Sequence, residues 1–446
     1  MTGGESSTVG IILAGGRGER AKPLTLESAD YIRSKALLPF AGRRLIEWVV
    51  DACREQGIRR FHVVAQGLEN RSQIKLVLGH GERYGVDVRY SRSSFDRYNV
   101  GSGAATLHNL EQWDLTERAL VLPVDSVFDF SLAGLEAAHD AADAVVTVAS
   151  VARSPREVAG KYGAIRTGAD GLVAGFVEKP ALDRLHGLFP DAADDEDVIP
   201  TNAGMYLVDC ARLRRAAREP ALMRQAQRRL DWGGELLPWL VRHGHRVAAH
   251  RIGRLGDLGN VEDYLVTLRD VLSGDYLGMN QLMPRPQSED PRYWIHESSL
   301  AARDDLTGTT LADKIAEGSV QIGPGVRIGR HVSIGADVRL EYTDIGDGAE
   351  VCEGARLSGA SCGDSAVIGP YAEISDSYVG PMAEIRSARV RPARLDGYSA
   401  VGDGARVFAG ARLSGVSVYP RLNVPAIAGL PAGTTLTSSD DILRWV

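Results

Sequence analysis

The stretch Val9-Gly10-Ile11-Ile12-Leu13-Ala14-Gly15-Gly16-Arg17-Gly18-Glu19-Arg20-Ala21-Lys22-Pro23-Leu24 decides the fold. Its apolar run, Val9 to Leu13, has the composition of a parallel strand buried on both faces. The run ends in a glycine-rich turn that carries two arginines and a lysine. Glycines let a backbone approach a phosphate closely, and successive N–H groups then form an anion-binding concavity. The carboxyl end of a first strand is also where an open α/β sheet binds its ligand. Gly16-Arg-Gly18-Glu-Arg-Ala21 fits the dinucleotide pattern G-x-G-x-x-A, but Lys22-Pro23 directly after it opposes a helix opening there. A P-loop is excluded because no G-K-[ST] follows at the required spacing.

A longer string accounts for more. Leu13-Ala-Gly-Gly-Arg-Gly-Glu-Arg20, Pro23-Leu-Thr25 and Ser34-Lys35-Ala-Leu-Leu-Pro-Phe-Ala-Gly42 follow in order. Together they resemble the signature of the sugar-1-phosphate nucleotidyltransferases, L-A-G-G-x-G-[TS]-R-L-x-P-L-T followed by x-K-P-L-[LV]-P.

Length and composition bound the rest. A chain of 446 residues holds two or three domains. Apolar and charged contents of 44% and 24% are those of a soluble globular protein. A net charge of −7 gives no reason to expect nucleic-acid binding. No apolar run is long enough to span a bilayer, and the first eight residues are small and polar rather than a signal peptide. Cys53, Cys210, Cys352 and Cys362 lack metal-ligand spacing, so reduced thiols in a cytoplasmic protein are expected.

From Val9 to about Leu272, short apolar runs alternate with helical periodicity, which predicts an α/β domain with a Rossmann-like, mainly parallel sheet. Proline-broken residues 273–314 read as a linker. Over 315–446 the composition shifts. Ile322-Gly, Ile328-Gly and Ile334-Gly recur every six residues, as do Val320, Val326, Val332 and Val338. The beat returns at Leu395, Val401, Val407 and Leu413. A six-residue repeat is the mark of a parallel β-helix. The repeat resembles the left-handed β-helix of hexapeptide-repeat proteins. Residues 343–394 slip phase, so interrupting loops or irregular turns are expected there.

Further segments match the nucleotidyltransferase pattern. Asn99-Val-Gly101-Ser102-Gly103 resembles its loop beside the nucleotide base, and Leu120-Val-Leu-Pro-Val-Asp125 its strand ending in a metal-binding aspartate. Phe176-Val-Glu178-Lys179-Pro180 is similar to the sugar-phosphate segment, and Thr201-Asn202-Ala-Gly-Met-Tyr206 to the sugar loop. Arg254-Leu-Gly-Asp257-Leu-Gly259 resembles the segment with a second metal-binding aspartate.

The resemblance implies a reaction between two anions, a nucleoside triphosphate and a sugar or sugar-like cyclitol 1-phosphate, so charge neutralisation and alignment are the catalytic problem. It assigns the triphosphate to Arg20 and Lys35, and the nucleotide cradle to Leu13, Ala14, Gly15, Gly16, Gly18, Gly101 and Ser102. Gly163, Glu178, Lys179 and Asn202 would hold the sugar phosphate. Asp125 and Asp257 would hold Mg²⁺, a hard cation that keeps waters and bridges phosphate oxygens. A homo-oligomer assembled through the β-helix is expected.

Within the family, the plan of one catalytic domain, a linker and a short β-helix is most similar to ADP-glucose pyrophosphorylase. Valienol-type cyclitol-phosphate nucleotidyltransferases and mannose-1-phosphate guanylyltransferase-like enzymes share it, as do non-catalytic regulatory subunits. A bifunctional acetyltransferase would need a histidine base, and the β-helix region offers only His331.

The sequence also departs from the pattern. Glu19 stands where Thr or Ser is usual, and a carboxylate there should point away or pair with Arg17 or Arg20. Ala36, Val124 and Asn260 are further departures. Tyr90-Ser-Arg-Ser-Ser94 lacks a base-reading glutamine, so nothing here names the nucleotide. The acidic run Asp191 to Asp197 and the arginine-rich stretch Arg212 to Arg229 read as solvated surface.

Overall fold

The computed structural model describes residues 6–16, 18–28, 30–168, 170–192, 197–304, 307–427 and 429–445. Arg17 and most of the acidic run 191–197 therefore lie outside the described residues. The chain divides into two compact units, but not at one point along its length. Residues up to 16 group with 46–255, and residues 17–45 group with 256 onward.

The first unit is built on β1 (Val9–Ala14), which is buried along almost its whole length. It pairs in parallel with β2 (Arg60–Ala65) on one side, with β3 (Asp87–Tyr90) beyond. On the other side it pairs in parallel with β4 (Arg118–Pro123). The sheet then changes direction. After β5 (Val146–Arg153) come the antiparallel β6 (Ala164–Thr167) and β7 (Val173–Val177), then the long β8 (Ile199–Asp209), which runs antiparallel to β4 and β5. A last strand, β9 (Val247–Arg251), lies parallel to β5. The sheet is thus parallel at its centre and mixed at one side. The register of β8 against β5 shifts between Asn202 and Tyr206. Such an irregularity re-aims side chains locally.

Helices Leu68–Leu78 and Ser102–Gln112 follow β2 and β3. Ile11, Val121, Val148, Leu110 and Trp232 belong to one apolar core in this unit. The arginine-rich stretch forms two helices, Cys210–Ala217 and Pro220–Ala226. Its surface is solvated as expected, with Arg215, Arg218, Arg224, Arg228 and Arg229 exposed. Arg214 pairs with Glu111 and Asp114, and Arg212 with Asp143.

The second unit contains three parallel sheets wound as a left-handed-type β-helix. Val326, Ile328, Ile345, Leu357, Cys362, Ile368 and Val379 point inward and form a continuous apolar column. The phase slip over 343–394 has two causes, a coil length that is not a whole number of hexads and one insertion. Asp344 pairs with Ser361 and Ser361 with Tyr378, steps of 17 residues rather than three whole hexads. One wider step follows, from Tyr378 to Ala400. The winding itself starts earlier than the hexads. Arg292–Ile295 pairs in parallel with Val326–Ile328, inside the stretch expected as a linker. That stretch also holds the helices Leu277–Leu282, Glu297–Leu300 and Leu311–Ala316.

Residues 18–45 lie against one outer face of this β-helix. Arg327, Asp344, Ser361 and Tyr378 occupy successive registers of one sheet, each beside an inward residue, so they point outward. Even so, Asp344, Ser361 and Tyr378 are buried. Tyr264, from the helix Val261–Ser273, helps to cover them. Its hydroxyl donates to the Pro39 carbonyl at 2.7 Å and lies 3.2 Å from Ser361 Oγ. Its ring meets Phe40 and Tyr378 edge-on, with centroids 5.5 and 5.8 Å away. No helix among the described residues is long and apolar enough to cross a membrane.

Candidate active site

In the first unit, β1 and β4 end side by side, and a cavity of about 340 Å³ opens beyond them. Leu13, Gly15, Gly16, Gly101, Ser102 and Asp125 line it. The structure thus brings together six of the expected residues from three separate stretches. Ala14 stays within the strand, buried, with its carbonyl accepting from Asn70 Nδ2 at 2.6 Å. The Ser102 N–H donates to Asp231 Oδ1 at 3.0 Å, and its Oγ accepts from the Trp232 N–H at 3.0 Å. Ser102 therefore ties this cavity to the Asp231–Trp232 segment.

Gln66 and Asn99 also line the cavity, and neither was assigned a role from sequence. Both polar atoms of the Asn99 amide are out of solvent and without a hydrogen-bond partner among the described residues. A buried amide left unpaired at both ends costs free energy unless a ligand satisfies it. The Asn99-Val-Gly101 motif held this residue, but only burial reveals it.

A second group in the same unit surrounds Glu178. A Cβ placed on Gly163 would stand 2.8 Å from Glu178 Oε2, and one on Gly233 would stand 2.4 Å from it. The carboxyl group therefore occupies space that two missing side chains leave. Burial pushes its pKa above the usual carboxylate range. Lys179 opposes that shift, while Asp231 and Glu235 add to it. Lys179 is exposed and adopts a left-handed backbone, with φ 44°. Such a conformation in a non-glycine residue stores strain and concentrates at functional sites. Asn202 is bound to the group through its N–H, which donates to the Gly163 carbonyl at 2.8 Å.

A third group belongs to the second unit. Arg20 and Asp257 flank Gly259. A Cβ there would stand 3.0 Å from Asp257 Oδ1 and 3.6 Å from Arg20 Nη2. Gly18 has φ 70°, and a Cβ on it would fall 2.7 Å from Thr25 Cγ2 and 3.2 Å from Lys35 Cγ. Only glycine fits that turn without strain. Lys35 is buried and starts a short helical turn capped by Ser34, whose Oγ accepts from the Ala36 N–H at 3.3 Å. Glu19 pairs with Lys22 at 2.6 Å, a partner not among those expected; of those, Arg17 lies outside the described residues. That pair also holds the Lys22 ammonium above its usual range, chiefly through the Glu19 hydrogen bond.

Among the described residues, no group of three or more His, Cys, Asp or Glu side chains is placed to hold a metal by itself. Asp125 and Asp257 offer carboxylate oxygens only. Carboxylate oxygens of this kind suit Mg²⁺, which takes one or two of them together with substrate phosphates and waters.

The pattern of the nucleotidyl transferase family matches residues 9–274, and the chain belongs to that family. A glucose-1-phosphate adenylyltransferase of Shewanella amazonensis is 31% identical over 365 residues, covering 76% of this chain and 80% of the relative. A UTP–glucose-1-phosphate uridylyltransferase of Synechocystis is 26% identical over 383 residues, covering 83% and 86%. A glucose-1-phosphate adenylyltransferase of Corynebacterium glutamicum is 28% identical over 246 residues, covering 53% and 57%.

Proposed function

We propose that this protein transfers a nucleotidyl group from a nucleoside triphosphate to a sugar 1-phosphate or a sugar-like cyclitol 1-phosphate. An oxygen of the acceptor phosphate attacks the α-phosphorus. The bond from that phosphorus to the bridging oxygen breaks, and pyrophosphate leaves. The observation that carries the reading is the cavity at the ends of β1 and β4, where the glycine turn, the Asn99–Ser102 loop and Asp125 converge.

Each group of residues has a task in this scheme. Gly15 and Gly16 leave the backbone open to phosphate oxygens, and Asn99 offers its amide to the base. Arg20 and Lys35 neutralise the triphosphate and the charge that builds on the α-phosphate. Lys179 holds the attacking phosphate, while Glu178 and Asn202 face the ring of the acceptor. Asp125 and Asp257 would hold Mg²⁺, which supplies further charge neutralisation at the phosphates when bound.

The relatives' names make ATP with glucose 1-phosphate the first pair to try. The Glu19–Lys22 pair supports a catalytic role over a regulatory one, because it offsets the carboxylate that would otherwise repel a triphosphate. A cytoplasmic homo-oligomer is part of this proposal, to be checked by cell fractionation and light scattering. The deciding experiment measures pyrophosphate release with Mg²⁺, crossing the common nucleoside triphosphates with a panel of sugar and cyclitol 1-phosphates. Release with one pair is expected. Silence across the panel from a folded protein would overturn the reading.

A further inference from the structure

The residues at issue are 18–45, which carry Arg20 and Lys35 and group with the β-helix. Three points of attachment hold them. At one end, the Gly42 backbone lies on the Arg327 side chain. A Cβ on Gly42 would stand 2.0 Å from Arg327 Nη2, and its φ is 79°. In the middle, Pro39 and Phe40 meet Tyr264. At the other end is Arg33, which is buried and ion-paired with the buried Asp403, 370 residues later in the chain.

Arg33 is the hub of a small network. Its Nη2 donates to Asp403 Oδ2, its Nη1 to the Leu24 carbonyl at 3.0 Å, and its Nε to Glu27 Oε1 at 3.2 Å. Its own N–H donates to the Thr25 carbonyl at 2.8 Å. Thr25 in turn donates from Oγ1 to the Gly18 carbonyl at 2.9 Å. The path therefore runs from Asp403 through Arg33 and the Leu24–Thr25 turn to Gly18, two residues before Arg20. Lys35 lies two residues beyond Arg33, with its Cγ beside Gly18.

Apart from Gly18, Arg20 and Lys35, no group on or beside this path is assigned to the substrates. A buried ion pair of this kind is weak evidence for stability, because desolvation offsets most of its attraction. It is strong at fixing geometry, since each partner must find the other.

We infer that Asp403, in a turn of the β-helix, is a positioning residue for nucleotidyl transfer, setting through Arg33 the loop that presents Arg20 and Lys35 to the triphosphate. The inference rests on the function proposed above. It gives the β-helix a direct part in the chemistry, separate from any part in assembly.

The test compares the full-length protein with Asp403→Asn, Asp403→Glu and the double variant Arg33→Met/Asp403→Leu. The readouts are kcat, the KM for each substrate, thermal melting, and calorimetric binding of inorganic tripolyphosphate. Asp403→Asn is expected to lower kcat/KM for the nucleotide by about tenfold or more, since small displacements of aligned groups carry losses of that order. The KM for the acceptor phosphate should stay within about twofold, and Asp403→Glu should recover part of the loss. The double variant replaces both charges with apolar groups, so it should melt near wild type yet stay impaired for the nucleotide.

Activity that simply follows melting temperature, with the double variant recovering both, would overturn the inference and leave the proposed function intact. The converse is also readable. A wild type silent with every substrate pair, but binding tripolyphosphate in a manner weakened by Asp403→Asn, would sink the proposed reaction while supporting the positioning role. A wild type that neither turns over nor binds tripolyphosphate would overturn both.

Discussion

Asn202 Nδ2 donates to the Tyr206 hydroxyl oxygen at 2.9 Å, across the irregular stretch of β8. The other end of the amide, Oδ1, accepts from the Gly204 N–H at 2.9 Å. The tyrosine ring stacks on Trp232 with centroids 4.3 Å apart, and the Trp232 indole N–H donates to Thr106. The side chain of Asn202 is therefore oriented, with one N–H still available to a ligand. Asn202→Ala should raise the KM of the acceptor phosphate by about five- to tenfold, the worth of one hydrogen bond, and leave the nucleotide KM unchanged. Tyr206→Phe should lower stability by about 1 kcal/mol in denaturant titrations.

Glu178 gives a pH dependence whose sign is fixed. Burial raises its pKa in the folded state, so the folded protein binds its proton more readily than the unfolded chain. Stability from this group is full below the unfolded carboxylate pKa and is lost as pH rises through the higher folded value. Glu178→Gln should therefore melt above wild type at neutral pH. The gap should close on acidification through the carboxylate range, as thermal melts at stepped pH would record.

Asp125→Asn should leave the melting temperature near wild type, because the residue lines a cavity and is not part of the apolar core. Pyrophosphate release with Mg²⁺ should fall by about 100-fold or more, the usual size of a lost electrostatic contact at a reacting phosphate. Near-normal release would remove Asp125 from the site.

Lys179→Ala should raise the KM of the acceptor phosphate far more than that of the nucleotide. Because Lys179 has φ 44°, Lys179→Gly should relieve backbone strain and gain about 1 kcal/mol of stability while losing the same activity. Equal effects on both substrates would show that Lys179 does not face the acceptor.

On the proposal that the Asn99 amide takes the base, Asn99→Leu should weaken the nucleotide and spare the binding of inorganic tripolyphosphate. The unoccupied protein should not be destabilised, since no hydrogen bond is lost there. Equal losses for ATP and tripolyphosphate would exclude a base contact.

The parts of this structure visible in sequence are those with a local signal. The strand Val9–Ala14 and its turn are written in consecutive residues, and so is Asp125 at the end of an apolar run. The β-helix announces itself through its period. What escaped depends on distance or on registry. A coil of 17 residues looks like a broken hexad until Asp344, Ser361 and Tyr378 are seen stacked in one column. Glu19 has charged neighbours on both sides, and only the turn geometry selects Lys22. Asn99 is marked in sequence only as part of its motif, and its own part shows once its buried amide is found unpaired. Arg33 and Asp403 are each unremarked charges in sequence, and nothing local connects them.

That long separation has a consequence for synthesis of the chain. Arg33 leaves the ribosome early, while Asp403 follows 370 residues later. At about 5–20 residues per second, the interval is roughly 20 to 70 s. Throughout it, the loop bearing Arg20 and Lys35 lacks the surface on which it finally rests, although the strands of the first sheet are already available to pair. Nascent chains halted before the last coils should therefore protect the sheet from protease and leave residues 18–45 open to cleavage. The segment that carries Arg20 and Lys35 is thus among the first parts made and among the last to be held.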